Sequence, residues 1–222
     1  MSLPQRFIGV LFSPKATFEA VVSWPRWLGM LAVTTVLATA FLGGLFLSEV
    51  GQQALLDRMA ETMPPEQFKG AAASIKIIAI AQVVGILVIS PLFALALAGI
   101  LLGVFTVTGG TASYKQVIAV VAHAGVVSTV GGAFSAVLNY FRENITSPTN
   151  LAVFLPGIEE NSFLGGLLGT IDLVFVWWLF VLAIGLGVLY RRRTQSIFLS
   201  LMTVYALIAA AVGAYKAVSG GS

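Results

Sequence analysis

The sequence lacks cysteine, contains a single histidine and is poor in charge: only 9% of its 222 residues are Asp, Glu, Lys or Arg. The absence of cysteine excludes a disulfide scaffold and thiolate metal sites. A soluble globular domain averages about 25% charged residues, so this chain has too little polar surface to cover a water-exposed fold. Its hydrophobic content of 58% and mean hydropathy of +0.97 instead indicate an integral membrane protein.

Long apolar runs divide the chain into candidate membrane spans. A transmembrane helix needs about 20 mostly apolar residues, and five runs meet that length: 27–48, 77–107, 117–141, 163–190 and 196–215. Pro91 lies in the middle of the second run, where we expect a kink. No linker rich in Pro, Gly or Ser separates two cores. The sequence therefore predicts an all-α fold, a single transmembrane domain over residues 1–222 with five spanning helices.

A shorter helix is predicted before the first span, at residues 13–24. Pro14 suits its first helical position, and Phe18 and Val21 share one apolar face. Trp24 follows at the depth where aromatic side chains meet the lipid headgroups. We expect an amphipathic helix that lies in the membrane interface.

The charges are distributed unequally between the two sides of the predicted bundle. Seven of the twelve Lys and Arg residues lie in the N-terminal tail and in the loops after spans two and four, where Glu19 is the single acidic residue. The opposite side carries five basic and seven acidic residues. Since Lys and Arg concentrate in cytoplasmic loops, the N-terminus is predicted to be cytoplasmic and the C-terminus outside. The net charge of +3 thus reflects orientation, and no nucleic-acid partner is expected.

Asp172 is the acidic residue inside a predicted span. A carboxylate at the centre of a transmembrane helix costs about 2.5–3.5 kcal/mol, so it should face the bundle interior or a water-filled cavity. A helical rise of about 1.5 Å per residue places it level with Ser90, Ser135 and Lys216. Asp172 is expected either to bond with these side chains and lock the bundle, or to relay protons or cations at a cavity.

His123, the single histidine, is placed in the inner third of the third span. A lone histidine among hydroxyl side chains is typical of a satisfied interior residue, with a ligand role as the alternative. Metal sites need several converging His, Cys or carboxylate ligands, so no metal or cofactor is expected. Phosphate-binding loops, nucleophile elbows and HExxH patterns are also absent from the sequence, which predicts that the protein is not an enzyme.

Small residues recur at spacings that favour close helix packing in membranes. Gly99 and Gly103 in the second span, and Gly165 and Gly169 in the fourth, have the Gly-x-x-x-Gly spacing, while Gly125 begins a similar stripe in the third. We interpret these positions as packing sites within the chain. An interface with a partner or with a second copy is the alternative.

Aromatic and basic residues mark the predicted inner interface. They lie before the third span and after the fourth: Tyr114, Lys115, Arg191, Arg192 and Arg193. We expect them to anchor the chain at the cytoplasmic headgroups.

Three segments resemble the Yip family of five-span membrane proteins, whose eukaryotic members are named for interacting with Ypt/Rab GTPases. They are LFSPKATF at 11–18, GGTASYKQV at 109–117 and IDLVFVW at 171–177. The resemblance implies a non-enzymatic component of a prokaryotic membrane, accessory to a larger complex such as an exporter. The N-terminal extension of the eukaryotic members is missing, so a GTPase partner is not expected.

The residues and the resemblance together predict an adaptor or scaffold in the bacterial inner membrane. It would contact lipids and bind other integral membrane proteins, or a second copy, through small-residue helix faces. One alternative is a small transporter or channel that uses Asp172 in a cavity. The other is a membrane-shaping or trafficking-type protein that acts through its surface helices.

Overall fold

The computed structural model describes residues 1–219, which fold into ten α-helices and one short 3-10 helix, Leu151–Phe154. The α-helices are α1 Leu3–Phe12, α2 Pro14–Ser23, α3 Leu28–Leu47, α4 Glu49–Thr62, α5 Pro65–Ala73, α6 Ile75–Val107, α7 Tyr114–Arg142, α8 Phe163–Thr170, α9 Leu173–Tyr190 and α10 Thr194–Ser219. Five of them, α3, α6, α7, α9 and α10, are long and apolar enough to cross a membrane. The predicted all-α fold with five spanning helices is confirmed.

The helix α7 forms the centre of the bundle, and α6 lies at its edge. In the most apolar stretch of each helix, 67% of the α7 residues are buried but only 11% of the α6 residues. A capping box begins α7, since the Ser113 hydroxyl accepts from the Gln116 backbone N–H and the Gln116 side chain accepts from the Ser113 N–H. The helix α6 continues through Pro91 as one element.

The N-terminal segment differs from the predicted surface helix. It forms two helices, α1 and α2, and the α2 side chains of Phe18 and Val21 are fully buried in the hydrophobic core. Phe18 packs so close to Gly185 of α9 that a Cβ there would lie 2.9 Å from its ring. The apolar face that was assigned to the lipid headgroups therefore packs against the bundle, because the small residue in α9 leaves room for it.

The predicted fourth span, 163–190, is not one helix. It is divided into α8 and α9 at Ile171 and Asp172, both of which have extended backbone conformations. The last helix, α10, packs along both pieces: Gly213 meets Gly166 of α8, and Tyr205 meets Phe175 of α9. The continuous helix α10 thus packs against both α8 and α9.

Candidate functional site

Asp172 caps the N-terminus of α9. Its Oδ1 atom accepts hydrogen bonds from the backbone N–H groups of Val174 at 2.8 Å and Phe175 at 3.1 Å. These two groups begin a helix and have no carbonyl partner within it. The carboxylate therefore stabilises the start of α9 through both hydrogen bonding and the helix dipole.

The second carboxylate oxygen of Asp172 binds a polar loop that enters the bundle after α7. Oδ2 accepts from the Thr149 hydroxyl at 2.7 Å and from the Ser147 hydroxyl. A carboxylate offers about four lone-pair positions, and the two hydroxyls and two N–H groups provide four donors. Asp172 is thus saturated with hydrogen bonds from the chain itself.

The backbone groups released by the helix break also find partners. The Leu151 N–H donates to the Ile171 carbonyl at 2.9 Å, and the Leu173 N–H donates to the Thr149 carbonyl at 3.0 Å. The Tyr205 hydroxyl accepts from the Asp172 N–H at 2.9 Å and donates to the Thr170 carbonyl at 2.6 Å. Irregular backbone at membrane depth requires such partners, since hydrocarbon supplies none.

Asp172 lies on the wall of a cavity of about 430 Å³ between α7, α9 and α10. Ser135 lines the same cavity, as predicted from its depth, but it is not a hydrogen-bond partner of the carboxylate. Ser90 lines a different cavity of about 570 Å³ between α3, α6 and α7, where its hydroxyl is buried without a partner. The predicted bonds from Ser90 and Ser135 to Asp172 are therefore wrong.

The predicted pairing of Asp172 with Lys216 is also wrong. The turn at residues 191–193 is tight, since the Arg192 N–H returns to the Gly187 carbonyl at 3.0 Å. This turn folds α10 back so that Tyr205 reaches the helix break, whereas the Lys216 side chain lies further along, beside Gly166 of α8. The depth count placed Lys216 level with the break, whereas the residue found there is Tyr205, eleven residues or about three helical turns earlier.

His123 is fully buried on α7. Its Nδ1 atom lies 2.7 Å from the Ala119 carbonyl oxygen one turn earlier, and its Nε2 atom is buried without a partner. The predicted hydroxyl partners are not bound to it. Among residues 1–219 no group of three His, Cys, Asp or Glu side chains could hold a metal ion.

The glycine motifs are placed differently from their predicted roles. A Cβ atom at Gly99, Gly103 or Gly169 would meet nothing within 4 Å, and one at Gly165 would overlap the Glu159 carbonyl of its own turn. Packing within the described chain is thus the wrong interpretation for the α6 pair. A Cβ at Gly125 would lie 4.0 Å from the Thr34 hydroxyl oxygen, which is an ordinary contact between α7 and α3.

The close helix contacts occur at other glycines. A Cβ at Gly166 would lie 2.8 Å from the Gly213 Cα, where the backbones of α8 and α10 touch. A Cβ at Gly131 would overlap Val174, at the contact of α7 with the first turn of α9. The Gly131 contact adjoins the Asp172 break, and the Gly166 contact holds the helix that leads to it, so small residues fix the positions of both helices of the junction.

The basic end of the bundle, defined by Arg191, Arg192 and Arg193, is held together by aromatic side chains. Phe105 of α6 stacks on Tyr190 of α9 with ring centroids 4.2 Å apart, and the Arg192 guanidinium lies 5.6 Å from the Phe105 centroid. Arg192 also donates to the Thr108 carbonyl. It therefore joins two helix ends, although all three arginines are exposed.

The two predicted anchors before α7, Tyr114 and Lys115, differ in their contacts. The Tyr114 hydroxyl donates to the Leu95 carbonyl of α6 at 2.9 Å, so this residue fixes α7 against α6. Lys115 is exposed and free to meet the headgroups.

Gly110 occupies a position that admits no side chain. A Cβ there would lie 2.7 Å from the Tyr190 ring and 2.9 Å from the Phe105 carbonyl oxygen. We expect Gly110→Val to lower the free energy of unfolding by about 1–3 kcal/mol, the usual cost of overpacking. Denaturation in detergent measures this loss, with Thr111→Val at the exposed next position as the control. Equal stability of the two variants would contradict the packing described here.

Three residues of the Asp172 site were not predicted: Ser147, Thr149 and Tyr205. A signal was present for the break itself, because Asp172 precedes an apolar run and Asp is a preferred N-cap. Gly165, Gly166 and Gly169 also lower helix propensity directly before it. The sequence of the polar loop after α7 has no hydrophobic periodicity, so its position inside the bundle could not be predicted.

Residues 8–215 match the family described as the Yip1 domain. No curated protein and no solved structure matches the chain. The matched region extends from α1 into α10 and includes the Asp172 break and the basic end. The resemblance of the three sequence segments is thereby confirmed: the chain is an integral membrane protein that belongs to the Yip family.

Proposed function

We propose that the chain is a non-enzymatic membrane adaptor that binds a helix of another integral membrane protein on the outer face of α6. The observation that carries this proposal is the open Gly99 and Gly103 pair. Neither glycine has a neighbour in residues 1–219 that a side chain would meet, and both are exposed on the least buried span.

Physical reasons favour a helix as the occupant of this face. Between helices in lipid there is no hydrophobic driving force, so association depends on close van der Waals packing. Two glycines one turn apart allow another backbone to approach at short range. Ala96, which is also exposed, extends the small-residue surface of α6. Large side chains at these positions would fill the groove.

The Asp172 site supports a structural role over the alternative of a transporter or channel. A proton or cation relay needs a carboxylate lone pair that a moving ion can reach. The four donors on Asp172 leave none of its acceptor positions open. We therefore propose that Asp172 holds the α8–α9 junction and that the protein needs no cofactor.

The membrane-shaping alternative has less support. It rests on an interfacial helix at residues 13–24 and a surface helix at 54–63. In the first of these, Phe18 and Val21 are buried in the bundle, and Trp24 is the only large apolar side chain left strongly exposed. The lipid-exposed surface of the spans contacts the bilayer. We propose the bacterial inner membrane as the location, with the basic end on the cytoplasmic side as the charge distribution favours. The partner we propose is a component of a transport or export complex.

Leucine at both open glycines tests this function. In the Gly99→Leu/Gly103→Leu variant we expect no loss of thermal stability, because a Cβ at either position meets no atom of the described chain within 4 Å beyond its own turn of α6. Recovery of the partner protein after mild-detergent purification should fall about tenfold for each ~1.4 kcal/mol of packing lost. Quantitative mass spectrometry of stoichiometric co-eluting proteins measures the recovery.

The matched control for that experiment is Gly44→Leu. Gly44 is an exposed glycine of α3 that also has no neighbour within 4 Å of a Cβ. We expect this variant to recover as much partner as the unmodified protein. Undiminished recovery with the α6 double variant, or recovery of the chain alone or only with itself, would contradict the adaptor function.

A further inference from the structure

The first helix, α1, exposes apolar side chains on its outer face and buries one arginine on the face that packs against the bundle. Ile8 and Phe12 point outward with 58% and 80% of their surface exposed, whereas Arg6 retains only 7%. Val10, one turn after Arg6, is fully buried in the core. This arrangement suits a helix surrounded by lipid on its outer face. It also places a permanent positive charge between α1 and the bundle.

The Arg6 guanidinium has no anionic partner in residues 1–219. The described ion pairs join Arg58 to Glu61 and Glu160 at the opposite end of the bundle. The Nε atom of Arg6 is buried and makes no hydrogen bond. A buried charge without a partner is strongly destabilising, so charges inside proteins are paired or bind a ligand.

His123 lies close enough to Arg6 for the two side chains to interact electrostatically, but it cannot neutralise the arginine. A carbonyl only accepts, so the His123 Nδ1 atom beside the Ala119 carbonyl carries the hydrogen. The Nε2 atom is then available, and it too is buried without a partner. Two buried polar groups on the adjacent helices α1 and α7 therefore both lack a hydrogen-bond partner within the described chain.

We propose that Arg6 binds the phosphate group of a membrane phospholipid. The outward side chains of α1 face lipid, so the anion at hand for this guanidinium is the phosphate of a headgroup. A guanidinium binds phosphate through two parallel hydrogen bonds, which matches its planar array of donors. The exposed Trp24 and Leu28 near the same end, at 71% and 65%, place the segment at the border of the hydrocarbon. This inference is independent of the α6 interface.

Lipid-dependent thermal stability of the delipidated full chain in detergent tests the proposal. The probes are dioleoylphosphatidylglycerol, dioleoylglycerol (which has the same acyl chains without phosphate) and inorganic phosphate. We expect the phospholipid to raise the Tm of the unmodified protein by several degrees and the other two to leave it unchanged. Arg6→Gln should lose this increase, and its co-purified phosphorus should fall. The control Arg26→Gln, an exposed cation at the same end, should keep both.

Three results would overturn the proposal. An equal rise in Tm with dioleoylglycerol would show that binding does not require the phosphate group. An equal rise in Tm with inorganic phosphate would show that the ligand is a soluble anion. An undiminished rise in Tm with phospholipid in Arg6→Gln would show that Arg6 is not the residue that binds it. If Arg6→Gln does not fold, Arg6→Lys keeps the charge and should retain part of the rise. The comparison of the three probes on the unmodified protein decides the phosphate claim in either case.

Discussion

Replacement of Asp172 by alanine is expected to lower the free energy of unfolding by about 2–4 kcal/mol, since it removes a helix cap and leaves several donors unpaired. The affected donors are the N–H groups of Val174 and Phe175 and the hydroxyls of Ser147 and Thr149. The polar loop and the start of α9 would both lose their common acceptor. Trp178 packs beside Phe175, with ring centroids 4.9 Å apart, so tryptophan fluorescence during denaturation reports on this junction.

Asp172→Asn is the matched control for that substitution. Asparagine keeps one oxygen as the cap of α9, and the two hydroxyls can rotate to donate or accept at its amide. We expect it to retain most of the stability that alanine loses. Equal destabilisation by both variants would show that the negative charge, and not the hydrogen-bond geometry, holds the junction. A folded Asp172→Asn protein that has lost a pH-dependent ion flux would instead support the transporter alternative.

Leucine at Gly166 is expected to disrupt the contact between α8 and α10, with a cost of about 3 kcal/mol or more, the upper range for overpacked cores. A Cβ at this position would lie 2.8 Å from the Gly213 Cα, and one at Gly213 would lie 2.6 Å from the Phe163 carbonyl oxygen. The obstructing atoms are backbone, which cannot move as a flexible side chain does.

Gly169→Leu provides the control for the α8–α10 contact. Gly169 lies in the same helix and the same predicted motif, but a Cβ there meets nothing within 4 Å. We expect its denaturation midpoint in detergent to equal or exceed that of the unmodified protein, because leucine has the higher helix propensity. If Gly166→Leu were tolerated as well as Gly169→Leu, α8 and α10 would not pack as described.

The spanning helices could be predicted from the sequence because their signal is hydropathy over about 20 residues. The helices α3, α6, α7 and α10 begin and end within four residues of the predicted runs. The break at Asp172 interrupted an equally apolar run, so average hydropathy could not detect it. Only the local preference of Asp for an N-cap, supported by the nearby glycines, indicated where a helix could restart.

The partners within the site depend on tertiary structure that no local pattern encodes. Ser147 and Thr149 lie in a loop with no periodicity, and their hydroxyls reach Asp172 only because the loop folds into the bundle. The contacts of the glycine motifs also depend on tertiary structure. The spacing of Gly165 and Gly169 matched a packing motif, but the helix that adjoins α8 meets the neighbouring Gly166. A spacing predicts that close contact is allowed, and the arrangement of the helices decides which face uses it.

Photo-crosslinking from the α6 face in native membranes tests the central claim most directly. A photoreactive residue at the exposed Ala96 lies on the face of Gly99 and Gly103, and the same residue at the exposed Ala40 of α3 serves as the control. We predict one abundant adduct with a different integral membrane protein from position 96 and none from position 40. Adducts with lipid alone, or only with a second copy of the chain, would contradict the adaptor function.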